Sequence, residues 1–262
     1  MRALNIGATG MLAQQTNVEV ISNNIANMNT TAYSKRRTEF QDLLYQNMRR
    51  IGAPSSDIGT IVPSGIQIGL GVKVGATYRI TETGSLISTS NPLDMAIQGK
   101  GYFQIELPDG TTAYTRDGAF QLNPDREIVT HDGYAVMPGI TLPEDVVDIS
   151  INGSGEVWVK VDGETDLVNA GQLELATFPN EAGLDPIGDN LFLESTASGA
   201  PVTDVPAATG FGSILQQFLE GSNVNVVSEV TDLVNAQRAY EMNSKVITTA
   251  DNMLSVAVQL KS

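Results

Sequence analysis

Apolar residues recur at strict seven-residue steps at both ends of this chain. Leu4, Met11, Val18 and Ile25 keep the step near the N-terminus, flanked by Ile21 and Met28. Val226, Leu233, Tyr240, Ile247 and Leu254 keep it near the C-terminus, flanked by Val230 and Val258. A sustained seven-residue apolar period draws a stripe down one side of an α-helix, the pattern of a coiled-coil seam. Both ends are therefore expected to be helices that pack on partners, including each other.

The polar faces add a second constraint. The N-terminal segment carries Gln14, Gln15, Asn17, Asn23, Asn24 and Asn27, and its first 32 residues hold only two charges, Arg2 and Glu19. Asn and Gly are poor helix formers, so Gly7 and Gly10 weaken the helix further, and a helix of this kind is marginal in isolation. Amides cost less to desolvate than charges and hydrogen-bond in several directions, so such a face suits burial against other polar protein surface. Burying a large apolar side chain contributes about 1.5–3 kcal/mol, whereas fixing each backbone residue costs about 1–2 kcal/mol. A few seam residues leave that balance near zero. Both termini are expected to be disordered in the isolated chain and to fold on assembly; the competing expectation is an ordinary antiparallel helical hairpin.

From about Ile80 to Ala207 the signal changes to short strands and turns. Pro-Asp-Gly at 108–110, Arg-Asp-Gly at 116–118, Asn-Pro-Asp at 123–125 and His-Asp-Gly at 131–133 punctuate β-branched runs. Asp-Gly between alternating hydrophobics is a hairpin signal, and segments 156–161 and 172–178 continue the pattern as strands. The fold class is α+β: long N- and C-terminal helices forming a coiled-coil-like pair, with a central β-rich domain of mainly antiparallel strands.

Asp109, Asp117, Asp125 and Asp132 invite an acid–base reading, but each stands beside Gly or Pro, where turn chemistry favours Asp. His131 is the only histidine and the chain has no cysteine, so a transition-metal site lacks ligands. Gly69, Gly71 and Gly75 do not have dinucleotide-binding spacing. Trp158, between Val157 and Val159, suits a strand. No catalytic residue, cofactor or metal is expected.

The net charge is −15. Residues 1–50 hold six Lys/Arg against three Asp/Glu, which leaves nine basic and 27 acidic residues for the remainder. An acidic bulk argues against nucleic acid as a partner; the Lys35-Arg36-Arg37 run suits either a solvated loop or a local acidic surface. The opening MRALNIGATGMLAQQ shows no apolar h-region or cleavage site, so no cleaved Sec signal is expected. No apolar run reaches the roughly 20 residues that span a bilayer, and the protein is expected not to be membrane-inserted.

Three segments resemble the flagellar rod and hook axial proteins. ANMNTTAYSK at 26–35 is similar to their N-terminal signature, through Ala26, Asn27, Thr30 and Tyr33. EGSNVNVVSEVTDLVNAQRAYEMNSKVITTADNML at 220–254 is similar to their C-terminal segment, through Asn223, Asn225, Gln237, Arg238, Tyr240 and Glu241. NPLDMAIQGKGYFQI at 91–105, YTRDGAF at 114–120 and LNPDREIVTHDGYAV at 122–136 resemble the β domain of the longer members. The stretch 42–72 resembles one characteristic of distal-rod members; a proximal-rod or hook-type subunit is the alternative.

The resemblance implies a domain plan and a mechanism. Residues 1–35 and 222–262 would form the helical core, 36–79 and 208–221 a connector, and 80–207 an outer β domain. Many copies would build a helical tube, helices inside and β domains outside, with the C-terminal helices lining an export channel. Segment 46–65 would lie extended and bridge axially adjacent subunits, with Tyr45, Gln46, Met48, Arg49, Arg50, Pro54 and Pro63 at the contact. Implied partners are copies of this chain, proximal rod proteins, the hook protein, the P-ring and L-ring proteins and the flagellar type III export apparatus, which would read a signal in the N-terminal region. The implied location is the basal-body rod, from the periplasm to the outer membrane. Two departures stand out: Ala32 replaces a usual Gly, and Asp125-Arg126-Glu127 replaces the usual Asp-x-x-Gly.

Overall fold

The computed structural model describes residues 2–49, 65–163 and 166–260, and it is α+β: a helix at each end and an antiparallel β-rich region between them. The chain divides into two compact units, one made of Met1–Ala26, Arg36–Arg79 and Asn225–Ser262, the other of Asn27–Lys35 and Ile80–Val224.

The first unit contains helix α1 (Arg2–Ala26) and helix α2 (Val226–Gln259). No proline interrupts either span, which leaves the backbone ladder intact. Asn225 caps α2, its side-chain oxygen accepting from the Val227 and Ser228 amides at 3.1 and 3.3 Å, and Glu229 in the first turn suits the positive end of the helix dipole. The helices run antiparallel: Gly7 lies against Ile247 and Gly10 against Asn243, while Asn24 reaches Glu229 near the start of α2.

Strands β1 (Arg36–Asp42), β2 (Tyr45–Arg49), β3 (Ile66–Gly69) and β4 (Val72–Arg79) complete this unit. β1 pairs with β4 from Arg36↔Arg79 to Asp42↔Val72, with an irregularity at Glu39/Phe40, and β2 pairs with β3 from Tyr45↔Gly69 to Arg49↔Ile66. The β1–β4 and β2–β3 pairs are thus an antiparallel ribbon within the helical unit. Gly71 lets the ribbon approach α1: at φ +123° its missing side chain would collide with the Thr9 hydroxyl, which accepts the Val72 amide at 3.4 Å.

The second unit is built from β5 (Leu86–Ser88), β6 (Met95–Gln98), β7 (Tyr102–Glu106), β8 (Thr112–Thr115), β9 (Gln121–Leu122), β10 (Ile128–Val129), β11 (Ala135–Val136), β12 (Val146–Ile151), β13 (Glu156–Val161), β14 (Val168–Gln172), β15 (Leu175–Thr177), β16 (Asp185–Gly188), β17 (Leu191–Leu193), β18 (Val202–Asp204), β19 (Ser213–Gln216) and β20 (Phe218–Glu220). Its largest sheet runs β16-β17-β8-β7-β11-β10-β9, with β15 joined to β7 and β18. β12-β13-β14 form a second sheet, and β19 pairs with β6 and β20 with β5. Met95, Ile97, Phe103, Ile105, Phe120, Ile128, Val157, Val159, Leu175 and Ile214 form the core, with the Phe103 and Phe120 rings edge-on at 5.1 Å.

The aspartates do turn work. Asp109 accepts the Thr111 amide and hydroxyl at 2.9 and 2.6 Å, which holds its carboxyl below the usual range. Asp117 accepts the Ala119 amide at 3.1 Å. Trp158 sits on β13 between the buried Val157 and Val159. The expected strand 172–178 is instead two: β14 ends at Gln172, Leu173 turns inward with its amide on the Gly155 carbonyl at 2.8 Å, and β15 enters a different sheet.

Candidate assembly surfaces

The contact between α1 and α2 is lined by small and polar side chains. Gly7, Ala13, Ile21 and Asn24 are buried on α1, and Glu229, Ala236 and Ala250 on α2. The last three stand at multiples of seven, with Asn243 filling the missing step. A methyl on Gly7 would come within 2.8 Å of Ile247 Cγ1, and one on Gly10 within 2.8 Å of Asn243 Nδ2, so both glycines set how closely the helices approach. Asn24 is 1% exposed. Its amide nitrogen donates to the Arg36 carbonyl (2.9 Å) and Glu229 Oε2 (3.1 Å), while its oxygen accepts the Arg36 amide (2.9 Å). One side chain thus ties α1, α2 and β1 together.

The apolar stripes flank this seam. Ile21 is buried, and Leu4, Met11, Val18, Ile25, Leu233 and Ile247 are half-buried. Val226, Val230, Tyr240, Leu254 and Val258 are exposed, as is Met28, which lies beyond the end of α1. Sequence reasoning missed Glu229, Ala236 and Ala250. The signal for them is the same seven-residue step, carried by residues too small or too polar for an apolar search to register.

The signature residues fall at both ends of the segments they mark. Ala26 ends α1; Asn27 Oδ1 accepts the Thr30 hydroxyl at 3.1 Å. In the β unit Asn223 gathers three segments: its amide nitrogen donates to the Ile80 and Glu82 carbonyls (3.0 and 2.9 Å), its side-chain oxygen accepts the Lys35 amide (2.7 Å), and its own amide donates to the Tyr33 carbonyl (3.3 Å). Gln237, Arg238, Tyr240 and Glu241 lie exposed on α2. On the ribbon, Tyr45, Gln46 and Met48 are exposed on β2, and Arg2 Nη1 lies 3.4 Å from Met48 Sδ. Arg49 ends β2. Arg50, Pro54 and Pro63, with most of the 46–65 stretch, lie outside the described residues.

The β unit holds a buried ion pair, also invisible to local sequence reasoning. Arg116 Nε donates to Glu220 Oε2 at 2.8 Å, and its other nitrogens donate to the Ile97, Gly99 and Gly101 carbonyls at 3.0–3.2 Å. Glu220 Oε1 accepts the Gly84 amide at 2.9 Å. These partners satisfy the guanidinium and both carboxylate oxygens, as burial requires. No group of His, Cys, Asp or Glu suited to a metal ion occurs among the described residues.

Three family profiles match the chain: Flagella basal body rod protein over residues 4–33, Flagellar hook protein FlgE/F/G D1 domain over 96–159, and Flagellar basal body rod FlgEFG protein C-terminal over 215–260. The chain is 59% identical to the flagellar basal-body rod protein FlgG of Caulobacter vibrioides over 262 residues, all of both chains. It is 56% identical to that of Agrobacterium fabrum over 256 residues, 98% of each. With that of Bacillus subtilis it shares 42% over 266 residues, 100% of this chain and 99% of the other. The helical ends, the β unit between them and identity from end to end agree: the chain belongs to the family of flagellar basal-body rod proteins FlgG, structural proteins and not enzymes.

Proposed function

We propose that many copies of this chain polymerise into the flagellar distal rod, a rigid helical tube that transmits motor torque to the hook and encloses the export channel. The observation that carries this reading is the surface of the helical unit. α1 and α2 bury a narrow seam of small residues and leave Leu12 66%, Met242 68% and Val258 69% exposed. Exposed apolar side chains recur along α2 from Val226 to Val258 and mark an interaction surface, and repetition of a non-closing contact between identical copies generates a filament. The sevenfold residues pack α1 and α2 in a coiled-coil manner within a subunit and reach neighbouring copies through their exposed members, with α2 lining the channel.

The partners of this reading are proximal rod proteins at one end, the hook protein at the other, and the P-ring and L-ring proteins around the tube. Export through the flagellar type III apparatus brings the subunit to the growing tip. Among the described residues no helix is long and apolar enough to cross a membrane. Segment 46–65 braces axially adjacent subunits, so its deletion is expected to leave a chain that still polymerises into a more flexible rod; deletion rods as stiff as wild type, measured by persistence length in electron micrographs, would sink that role.

Amide hydrogen exchange on the isolated chain and on the assembled polymer tests the reading. Fast exchange over 1–35 and 222–262 in the isolated chain, becoming protected on assembly, is expected. Full protection without assembly would mean that the helices form a complete core alone.

A further inference from the structure

We propose that a groove between α1 and α2 receives the Arg36–Arg37 end of the β1–β4 ribbon from a second copy of the chain. This rests on the polymer reading above and assigns one of its contacts. The groove has a volume of about 500 Å³ and is lined by Gln15, Val18 and Glu19 of α1 and by Gln237, Tyr240 and Glu241 of α2. Val18 and Tyr240 make an apolar floor, and the amides and carboxylates form the rim. Glu19 accepts a hydrogen bond from Gln15 Nε2 at 3.1 Å. Among the described residues neither Glu19 nor Glu241 is in an ion pair. Two carboxylates beside an apolar floor suit a guanidinium, whose planar fork pairs with carboxylates while its stem lies on apolar surface.

The complementary surface is in the same unit. Arg36 stands directly opposite Arg79 in the β1–β4 register, and Arg37 follows on the other face. Arg36 and Arg37 are exposed and, among the described residues, take part in no ion pair. Their backbone is nevertheless fixed, because Asn24 holds both the amide and the carbonyl of Arg36 at 2.9 Å. The arginines are thus presented on a rigid edge at small cost in backbone entropy. At about 100° per residue, Glu19 lies roughly 140° around α1 from Asn24, so it faces a different side of the helix from the one that anchors Arg36. The pairing is therefore between copies.

The chain has no cysteine, which makes cross-linking between two introduced cysteines unambiguous. Full-length Glu241→Cys and Arg37→Cys chains, both altered at exposed positions, are mixed, polymerised and oxidised. A disulfide-linked heterodimer in the polymer, absent from the unpolymerised mixture, is expected. In parallel, the E19K/E241K and R36E/R37E chains are each expected to need about tenfold more protein to polymerise, and the chain carrying all four changes to recover. Polymer forming in normal yield without the heterodimer, or charge-reversed chains assembling like wild type, would overturn the contact and leave the polymer reading standing. A heterodimer formed instead by Glu241→Cys with Arg238→Cys would overturn the choice of Arg36–Arg37. Wild-type chains that never polymerise would remove the polymer reading and this contact with it.

Discussion

Ala32 adopts φ +55° although it carries a side chain. It is buried, and its amide donates to the Glu220 carbonyl at 2.7 Å, so the surroundings hold it in a backbone region that costs an L-residue about 1–2 kcal/mol. Ala32→Gly is expected to raise the stability of the β unit by up to about 1 kcal/mol, less than the full strain because Gly also gains freedom when unfolded. A urea midpoint no higher than wild type would reject this. Arg126 is similar at φ +63°. It lies within a turn in which Asn123 Oδ1 accepts the Glu127 amide at 2.8 Å, and it is anchored by donation to the Pro143 carbonyl at 2.9 Å. Ala32 was readable as a replaced glycine, whereas at 125–127 only a changed turn was readable and not which residue would take the positive φ. Asp117 was readable only as a turn residue. Burial lifts its carboxyl above the ordinary range, against the Ala119 amide, Asn190 and His131, while Asp94 adds to the lift. A carboxyl raised on folding stabilises fully below its unfolded pKa, near 4, and loses that contribution as pH rises through the raised value. Asp117→Asn should therefore gain on wild type as pH rises above the ordinary carboxylate value near 4, and a difference in urea midpoint that does not change with pH would contradict the assignment.

At the scale of elements, turn chemistry and seam chemistry differ in how far they can be read. The β1–β4 and β2–β3 ribbon was not foreseen as strands, although Ile66, Ile68, Leu70, Val72, Val74, Ala76 and Tyr78 alternate; Gly69, Gly71 and Gly75 between them weaken the strand signal, and in β1 Thr38 alone is buried among exposed neighbours. The helices were foreseen from their apolar stripes, but the line of closest approach runs through Gly7, Gly10, Asn24, Ala236 and Asn243. Close helix approach selects small residues, and a hydrophobicity pattern does not weigh them. Asn24→Ala would leave the Arg36 amide and carbonyl without the side chain that joins them, and Glu229 without this donor. The expected cost is about 1–3 kcal/mol, read as faster exchange of the Arg36 amide in the assembled polymer. Unchanged exchange there would show that Asn24 is not what holds β1.

For the whole molecule, the strongest long-range tie within the β unit is Arg116–Glu220, 104 residues apart in sequence. Removing one partner of a buried ion pair leaves an uncompensated charge and costs about 3–5 kcal/mol. Glu220→Ala is therefore expected to lower the unfolding midpoint sharply, whereas Arg116→Met with Glu220→Leu should lose much less. Equal losses would mean that the backbone carbonyls around Arg116, and not Glu220, dominate. The same network fixes the strand that leads into α2, since Glu220 also accepts the Gly84 amide.

The sequence by itself determined the helix at each end, the antiparallel β region between them, the turns that punctuate it and the family. Each rests on local periodicity, on turn chemistry within a few residues, or on contiguous motifs such as 26–35 and 220–254. Tertiary structure alone decided which line on each helix is buried, that β1 pairs with β4 and β2 with β3 within the helical unit, and that Arg116 meets Glu220. Those outcomes depend on residues 17 to 240 positions apart in sequence meeting in space. Such meetings are chosen by packing volume and by the need to pair every buried polar group, and no single stretch of sequence records them.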